Sequence, residues 1–340
     1  MPHSYIKDIG LYRVDTSGTV DKGSDGAMWL PSKRLAVVMD GISGDKGDGS
    51  SDVDRYAANL ELSPDTVAGV RTAFFDTFGP PGQSVAASLW FPPNVDDAST
   101  ALLLHAGDCH CFRLRSTAGA TPQITRLTHG HTIWNTLIRR PPTTSLAWCE
   151  PNEATQAAWQ ELSHVKVVSD LDDISDREHL KSLIELLASA SPSPELLDIP
   201  PSKFEESCST EELRMLLFDI ISEYKGSIYC ALVSDTDEAK AIVGDGLQVD
   251  IQHEDRFLLI SDGVDDVLNE EEIELILSTE TSASAAAHRL VHTSQAKNIK
   301  IDDRVALVVD LDASMQPTPE HLKHGMPHPG ATKPLRLSTN

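Results

Sequence analysis

Three aspartates stand beside strongly apolar segments, and they are the residues of this sequence most able to do chemistry. Asp40 follows the apolar run 35–39, Asp262 follows 257–260 after one serine, and Asp302 precedes a further apolar run. Short apolar runs bounded by turn residues predict buried strands, so these carboxylates would be poorly solvated and would repel one another if they converged. Hard divalent cations such as Mg²⁺ and Mn²⁺ prefer oxygen ligands of this kind. The pattern therefore predicts a metal site.

Glycine follows two of these aspartates, as Gly41 and Gly263. A glycine lets the backbone turn tightly, and its carbonyl can serve as a ligand. A single Asp-Gly pair is more often a turn than a metal ligand. The order and context of the three aspartates together therefore carry the prediction.

The elements that must position these residues alternate between strands and helices, which predicts an α+β protein. Apolar runs predict strands at 84–91, 100–105, 109–114, 227–233 and 305–309, and helical spacing predicts helices at 60–78, after Asn269 and at 283–291. Residues 132–225 are mainly helical in pattern, with capping boxes predicted at 175–178 and 209–212. From residue 313 onward the chain is rich in Pro and His, which predicts a disordered tail over 313–340.

Composition excludes several classes of function. The formal net charge of −24 repels phosphate backbones, so nucleic-acid binding is not expected. No segment approaches the roughly 20 apolar residues that a membrane helix needs, so a soluble protein without membrane binding is expected. The five cysteines include no C-x-x-C pair, which disfavours a disulfide framework or structural zinc and predicts a reducing, cytoplasmic location.

Six short segments, in this order, resemble motifs of the PPM family, the metal-dependent type 2C serine/threonine protein phosphatases. The resemblance spans roughly residues 17–312. The segments are Val38-Met39-Asp40-Gly41-Ile42-Ser43-Gly44, similar to V-x-D-G-x-G-G; Gly82-Gln83-Ser84-Val85-Ala86-Ala87, similar to the G-S-T-A strand; Ala106-Gly107-Asp108-Cys109-His110, similar to G-D-S-R; Leu127-Thr128-His129-Gly130-His131, similar to L-T-x-D-H; Asp255 to Gly263, similar to D-x-x-L-L-x-S-D-G; and Asp302-Asp303-Arg304-Val305, similar to D-N-x-T.

The resemblance implies a fold, a domain organisation and a mechanism. The fold would be a four-layer α-β-β-α sandwich, with two antiparallel sheets flanked by helices. A phosphatase-like domain would cover residues 1–312 and carry a helical insertion at about 132–225. The implied activity is hydrolysis of phosphoserine or phosphothreonine in protein substrates, with Mn²⁺ or Mg²⁺ activating a bridging water.

The resemblance also assigns roles to individual residues of this chain. Asp40 would bridge two metal ions, one of which the Gly41 carbonyl would also bind, and Asp262 and Asp302 would hold the other. These three aspartates form the implied catalytic set. Asp25 stands where the family has a glutamate that reaches a metal through water, and Asp108 would help to hold a third ion.

One departure from the family leaves two readings open. The family usually has a phosphate-binding arginine four residues before the glutamate, and that position here is Asp21, with Lys22 adjacent. Lys22 could bind phosphate, although a lysine lacks the bidentate fork of an arginine. The chain is then either an active phosphatase or a pseudophosphatase that regulates or binds a partner. The insertion could be a flap, a partner-binding module or padding.

Overall fold

A computed structural model describes the chain over fourteen stretches, and every structural statement below concerns these residues. They are 6–15, 25–41, 49–78, 84–92, 100–116, 121–130, 157–158, 160–162, 165, 168–189, 208–226, 246–252, 254–297 and 302–312. The predicted strand at 227–233 and the predicted tail at 313–340 lie outside them. Lys22 and Asp21 do so as well.

Ten strands form two antiparallel sheets of five. The first, sheet A, contains β1 (Ile6–Val14), β6 (His110–Arg115), β7 (Gln123–Arg126), β9 (Arg256–Ile260) and β10 (Arg304–Leu311), in the order β1-β10-β9-β6-β7. The second, sheet B, contains β2 (Gly26–Leu30), β3 (Leu35–Gly41), β4 (Ser84–Trp90), β5 (Thr100–Ala106) and β8 (Leu247–Asp250), in the order β2-β3-β4-β5-β8. Both sheets draw strands from the two ends of the chain.

Helices cover the outer faces of the two sheets, so the predicted four-layer α-β-β-α sandwich is confirmed. On sheet B, α1 (Gly49–Leu62) lies against β2 and β3, and α2 (Val67–Phe78) lies against β4 and β5. On sheet A, α6 (Glu270–Thr279) and α7 (Ala283–Lys297) follow the short α5 (Asp262–Asp265), and α7 packs on β1 and β10. The remaining described helices lie in the middle of the chain: α3 (Arg177–Ser189), α4 (Thr210–Gly226) and a short 3-10 helix, Val168–Leu171.

The core between the sheets explains why the central strands are so apolar. All seven residues of β4 and all eight of β10 are buried, because both faces of each strand are covered. Phe91, just after β4, and Phe257 of β9 meet edge to face, with ring centroids 6.0 Å apart, and so join the two sheets. The apolar runs that the sequence analysis identified are thus central strands.

Two local predictions were wrong in detail, each for a chemical reason. The helix predicted over 60–78 is two helices, because Pro64 follows the end of α1 and the chain turns before α2 begins. The capping box predicted at 175–178 is also absent as such, since Asp176 caps α3 by accepting from the Glu178 amide at 3.0 Å. The box at 209–212 is confirmed, with reciprocal bonds between Ser209 and Glu212.

The chain divides into two compact units, Met1–Gly130 with Cys230–Asn340, and His131–Tyr229. The first contains both sheets. In the second, α3 and α4 pack on each other through Leu180, Ile184, Leu213 and Leu217, all fully buried. In the described part of the chain, no helix is both long and apolar enough to cross a membrane.

Candidate metal centre

The edge of sheet B brings Asp25 and Asp40 face to face. Gly26 pairs with Met39 in the antiparallel ladder between β2 and β3, so the next register position sets Asp25 opposite Asp40. On the other side of β3, Asp40 pairs with Val85 and Gly41 with Ser84. The family-like segments around residues 25, 40 and 84 therefore meet at one end of this sheet.

The matching end of sheet A supplies the other acidic residues. Ile260 pairs with both Ala306 and His110, so α5, which begins at Asp262, leaves the sheet between β10 and β6. Asp302 and Asp303 immediately precede β10, and Asp108 precedes β6. Carboxylates from separate parts of the sequence therefore collect where the two sheets end together.

Two glycines allow the backbone to approach closely enough for this arrangement. A Cβ on Gly263 would overlap the Asp303 carbonyl oxygen, so only glycine lets α5 lie against the loop before β10. Gly107 has a φ of 85° and faces Val85, where a side chain would overlap that valine. Gly107 thus sets the tight turn that carries Asp108.

The carboxylates lie close enough to perturb one another strongly. The pKa of Asp25 is raised from 3.8 to about 7, chiefly by burial, with the negative charges of Asp262 and Asp303 adding to the rise and interactions with Asp40 and Ser261 partly opposing it. Burial raises the pKa of Asp40 well above its usual value, and repulsion from Asp25, Asp262 and Asp108 adds to the effect. These five aspartates are therefore one electrostatic cluster, which we call the acidic cluster.

The acidic cluster has the chemistry of a cation site. Asp25 is only 2% exposed, and neither of its carboxylate oxygens has a hydrogen-bond donor in good geometry. A buried carboxylate in this state is costly unless a positive charge neutralises it. Among the residues that the structure describes, no three acidic, histidine or cysteine side chains are already spaced to hold a metal ion. The residues therefore fit a divalent cation in charge and donor type, and binding would require side-chain adjustment.

The structure gives Asp303 a larger part in the acidic cluster than the sequence analysis did. The sequence prediction made Asp302 a ligand and omitted Asp303, yet Asp303 is the one that raises the pKa of Asp25. Asp302 Oδ1 accepts from the Asp303 amide at 2.9 Å, and Arg304 Nη1 donates to the Asp302 carbonyl at 2.7 Å. Asp303 is only 6% exposed, whereas Asp302 is half-buried. The two adjacent acids indicate a carboxylate at this position, but the sequence alone does not show which of them faces the other acids of the cluster.

A buried hydrogen-bonded network fixes α5 to the strand that follows Asp108, and the sequence analysis missed it. Arg126 donates to both carboxylate oxygens of Asp265 at 2.7 and 3.0 Å. Asp265 Oδ2 also lies 3.4 Å from His110 Nε2. The Thr128 hydroxyl accepts from the Cys111 amide at 2.8 Å and lies 3.2 Å from His110 Nδ1, so it can donate there and leave the ring proton on Nε2, facing Asp265.

The network carries one full positive charge rather than two. Burial, reinforced by the charge of Arg126, lowers the pKa of His110 well below its usual value. The imidazole is therefore neutral, and its 3.4 Å approach to Asp265 is not a salt bridge. Arg126 supplies the cation near the position where the family motif has an arginine and this chain has His110.

Arg13 contacts the backbone of Asp25 in the acidic cluster. Arg13, near the end of β1, donates from Nη1 to the Asp25 carbonyl at 3.3 Å. The sequence analysis named only Lys22 as a phosphate ligand, and Lys22 lies outside the described residues. Arg13 lies on β1 of sheet A and Asp25 precedes β2 of sheet B, so their contact depends on how the two sheets stack, which the sequence does not show.

Comparison with solved structures identifies the fold. The chain resembles PppA, described as a key regulatory component of the type VI secretion system in Pseudomonas aeruginosa, with 14% identity and a TM-score of 0.51 over 90% of this chain and 99% of that one. It also resembles the serine/threonine phosphatase of S. agalactiae, with 12% identity and a TM-score of 0.50 over 90% and 99%. No protein-family model and no curated protein sequence matches the chain.

Proposed function

The chain has the fold of the PPM-type serine/threonine phosphatases, and from this premise we propose that it is a metal-dependent phosphomonoester hydrolase. Its substrates are phosphoserine or phosphothreonine proteins. The observation that supports this most is the acidic cluster, in which the buried Asp25 and the half-buried Asp40 have strongly raised pKa values that a bound cation would relieve. A fold alone does not specify function, so the proposal depends on the site.

The ligands we assign are the residues predicted from the sequence. Asp40, Gly41, Asp262 and Asp302 would hold Mn²⁺ or Mg²⁺, and Asp25 and Asp108 would complete sites for two or three ions in all. When bound, such ions lower the pKa of water and offset charge on the phosphoryl oxygens. Asp303 is a further negative charge of the cluster, because it contributes to the raised pKa of Asp25.

Other side chains would balance charge, hold α5 in place and bind the substrate phosphate. Asp25, buried and facing Asp40, neutralises excess positive charge and orders the edge of sheet B. The network of Arg126, Asp265 and His110 holds α5, and with it Asp262, against the strand after Asp108. Phosphate recognition falls to Lys22 and to Arg13, whose guanidinium already contacts the Asp25 carbonyl at 3.3 Å. Arginine can bind phosphate through two parallel hydrogen bonds, whereas lysine binds as a point charge.

A pseudophosphatase is the second candidate, and one structural observation favours it. The described acidic, histidine and cysteine side chains include no three that are already spaced for an ion. Asp21 at the arginine position would also repel a substrate phosphate. In that case the fold would serve as a regulatory or partner-binding module. The helical unit 131–229 is our candidate for the partner-binding surface in either case.

The setting we propose is the cytoplasm. Cys109 and Cys111 are free thiols among the described residues, and both are buried. Free thiols persist most readily where the compartment is reducing.

Hydrolysis assays separate the two candidates. Purified protein should hydrolyse an aryl phosphate and a phosphothreonine peptide with Mn²⁺ or Mg²⁺, and EDTA should abolish turnover. Asp262→Asn should remove nearly all activity, whereas Asp266→Asn, an exposed acid four residues away, should retain it. Protein that binds Mn²⁺ in calorimetry yet turns over neither substrate would establish the pseudophosphatase. Equal losses in both variants would show that α5 is merely sensitive to substitution.

A further inference from the structure

Two histidines and a tyrosine form a compact group where α7 packs on β1 of sheet A. His288 and His292 lie one turn apart on α7, and their ring centroids are 4.2 Å apart. Tyr12 of β1 packs beside them, with its ring centroid 4.5 Å from that of His288 and 5.7 Å from that of His292. We call these three residues the α7 histidine group.

Helix geometry makes this pair a chelate. Side chains at positions i and i+4 lie on the same face of a helix, so both imidazoles point the same way. The opposite face of α7 is buried through Ala287, Leu290 and Val291, which fixes the helix on the sheet. His288 and His292 themselves are exposed, so an ion can reach both rings from solvent.

Tyr12 orients one of the two rings. Its hydroxyl lies 3.5 Å from His292 Nε2, at the outer limit of a hydrogen bond. If the hydroxyl accepts from Nε2–H, the lone pair of that imidazole is on Nδ1, where it can bind a metal. Hydrogen bonds of this kind commonly fix the tautomer of a metal-binding histidine. In that arrangement Tyr12 is a positioning residue for His292.

The nearest charged neighbour on α7 does not oppose cation binding. Arg289 lies between the two histidines in sequence, but its Nη1 donates to Glu280 Oε1 at 2.6 Å and to Thr279 Oγ1 at 3.3 Å. The charge of Arg289 is thus partly neutralised, and its guanidinium lies at the end of α6. The net charge of −24 over the whole chain further favours cations at its surface.

We propose that the α7 histidine group is a second metal site, specific for borderline transition-metal ions such as Ni²⁺, Cu²⁺ and Zn²⁺. Imidazole nitrogen suits these ions, whereas carboxylate and carbonyl oxygens suit Mg²⁺ and Mn²⁺. Two protein nitrogens and solvent water complete the coordination. This site is independent of the proposed phosphatase activity, because it uses a different helix, a different donor atom and a different class of metal.

Thermal unfolding with Ni²⁺, in the presence of excess Mg²⁺, tests this site. Ni²⁺ should raise the Tm of the full chain, because a chelate formed on folded α7 binds the native state better than the unfolded chain. His288→Ala and His292→Ala should each abolish the shift and weaken Ni²⁺ binding on the order of 10²-fold, since one imidazole cannot chelate. Tyr12→Phe should weaken binding to a smaller extent.

Two controls separate this site from other histidines. His179→Ala removes a single, half-buried histidine from α3 and should leave the shift intact. A triple variant of His321, His324 and His328 to Ala tests whether the C-terminal histidines bind the ion. The proposal is overturned if Ni²⁺ fails to raise the wild-type Tm, if the shift survives in the double variant of His288 and His292, or if the triple variant alone abolishes it. For a variant with a lowered starting Tm, calorimetric titration measures the same loss of Ni²⁺ binding on the folded protein.

Discussion

Replacing Asp40 by asparagine should stabilise the metal-free protein, although the residue is part of a buried strand end. Asparagine has nearly the same shape as aspartate, but it carries no charge to repel Asp25, Asp262 and Asp108. Those three repulsions are among the main causes of the raised pKa of Asp40 after burial itself. The substitution therefore removes an unfavourable interaction without leaving a cavity.

The raised pKa of Asp25 sets the scale of the effect. A shift from 3.8 to about 7 corresponds to about 4 kcal/mol of destabilisation when Asp25 ionises, at about 1.36 kcal/mol per pKa unit. Burial is the larger cause of that shift, and repulsion within the cluster is only a part. We therefore expect Asp40→Asn to raise the free energy of unfolding by about 1–2 kcal/mol at pH 8 in EDTA, as an order-of-magnitude share of that total.

A buried aspartate with good partners provides the matched control. Asp255 is fully buried and accepts from Arg115 Nε at 2.8 Å and Nη2 at 2.7 Å. Breaking a buried ion pair of this kind typically destabilises by about 3–5 kcal/mol. Asp255→Asn should therefore lower the free energy of unfolding, so the same chemical change has opposite signs at the two sites.

Denaturant unfolding with and without Mg²⁺ measures both halves of the prediction. Mg²⁺ at a hundred times its Kd should stabilise the wild type by about 2.7 kcal/mol, and Asp40→Asn should lose most of this gain. If Asp40→Asn destabilises the protein in EDTA as Asp255→Asn does, the acidic cluster is not electrostatically strained. If it responds to Mg²⁺ like the wild type, Asp40 is not a ligand.

Three further predictions concern the same site. In EDTA, the contribution of Asp25 to stability should fall as the pH rises from about 4 to about 7. Its raised pKa of about 7 means that the folded state keeps a proton which the unfolded chain has already released. Urea unfolding across this range should show the fall in the wild type and not in Asp25→Asn. Gly263→Ala should destabilise by about 1–3 kcal/mol and weaken Mn²⁺ binding in calorimetry, because the new methyl meets the Asp303 carbonyl oxygen; normal Mn²⁺ affinity would show that this contact does not position Asp262. Lys22→Ala should raise KM for an aryl phosphate about tenfold if Lys22 binds phosphate, and Asp21→Arg should lower it; unchanged KM in both would place this segment away from the site.

The architecture could be predicted because its signals are local or ordered along the chain. Apolar runs bounded by turn residues gave the central strands, and the order of short motifs gave the sandwich. The prediction of one helix over 60–78 was wrong because it followed the apolar spacing and did not take Pro64 as a helix boundary. Ser175 and Asp176 are both good caps, and only geometry could choose between them.

The candidate site was only partly predictable, because its details depend on contacts between distant segments. Asp25 and Asp40 meet through a strand register that no single segment encodes. Arg13 reaches the Asp25 carbonyl only because β1 ends at the same edge of the sandwich. Arg126 and Asp265 are 139 residues apart, so nothing in either local sequence indicates that they pair. Charge and residue type lead to the prediction of a metal site, while side-chain packing decides which acids lie close together.

A crystal structure of the protein with Mn²⁺, with the ions located by their anomalous scattering, tests the central claim most directly. We predict at least two peaks at the common end of the two sheets, one or both about 2.1 Å from oxygens of Asp40, as expected for an octahedral hard cation. The Gly41 carbonyl and Asp262 should lie within the same coordination shells. Mn²⁺ that binds in solution but gives no peak at Asp40, or peaks only at other surfaces, would contradict the assignment of this cluster as the metal centre.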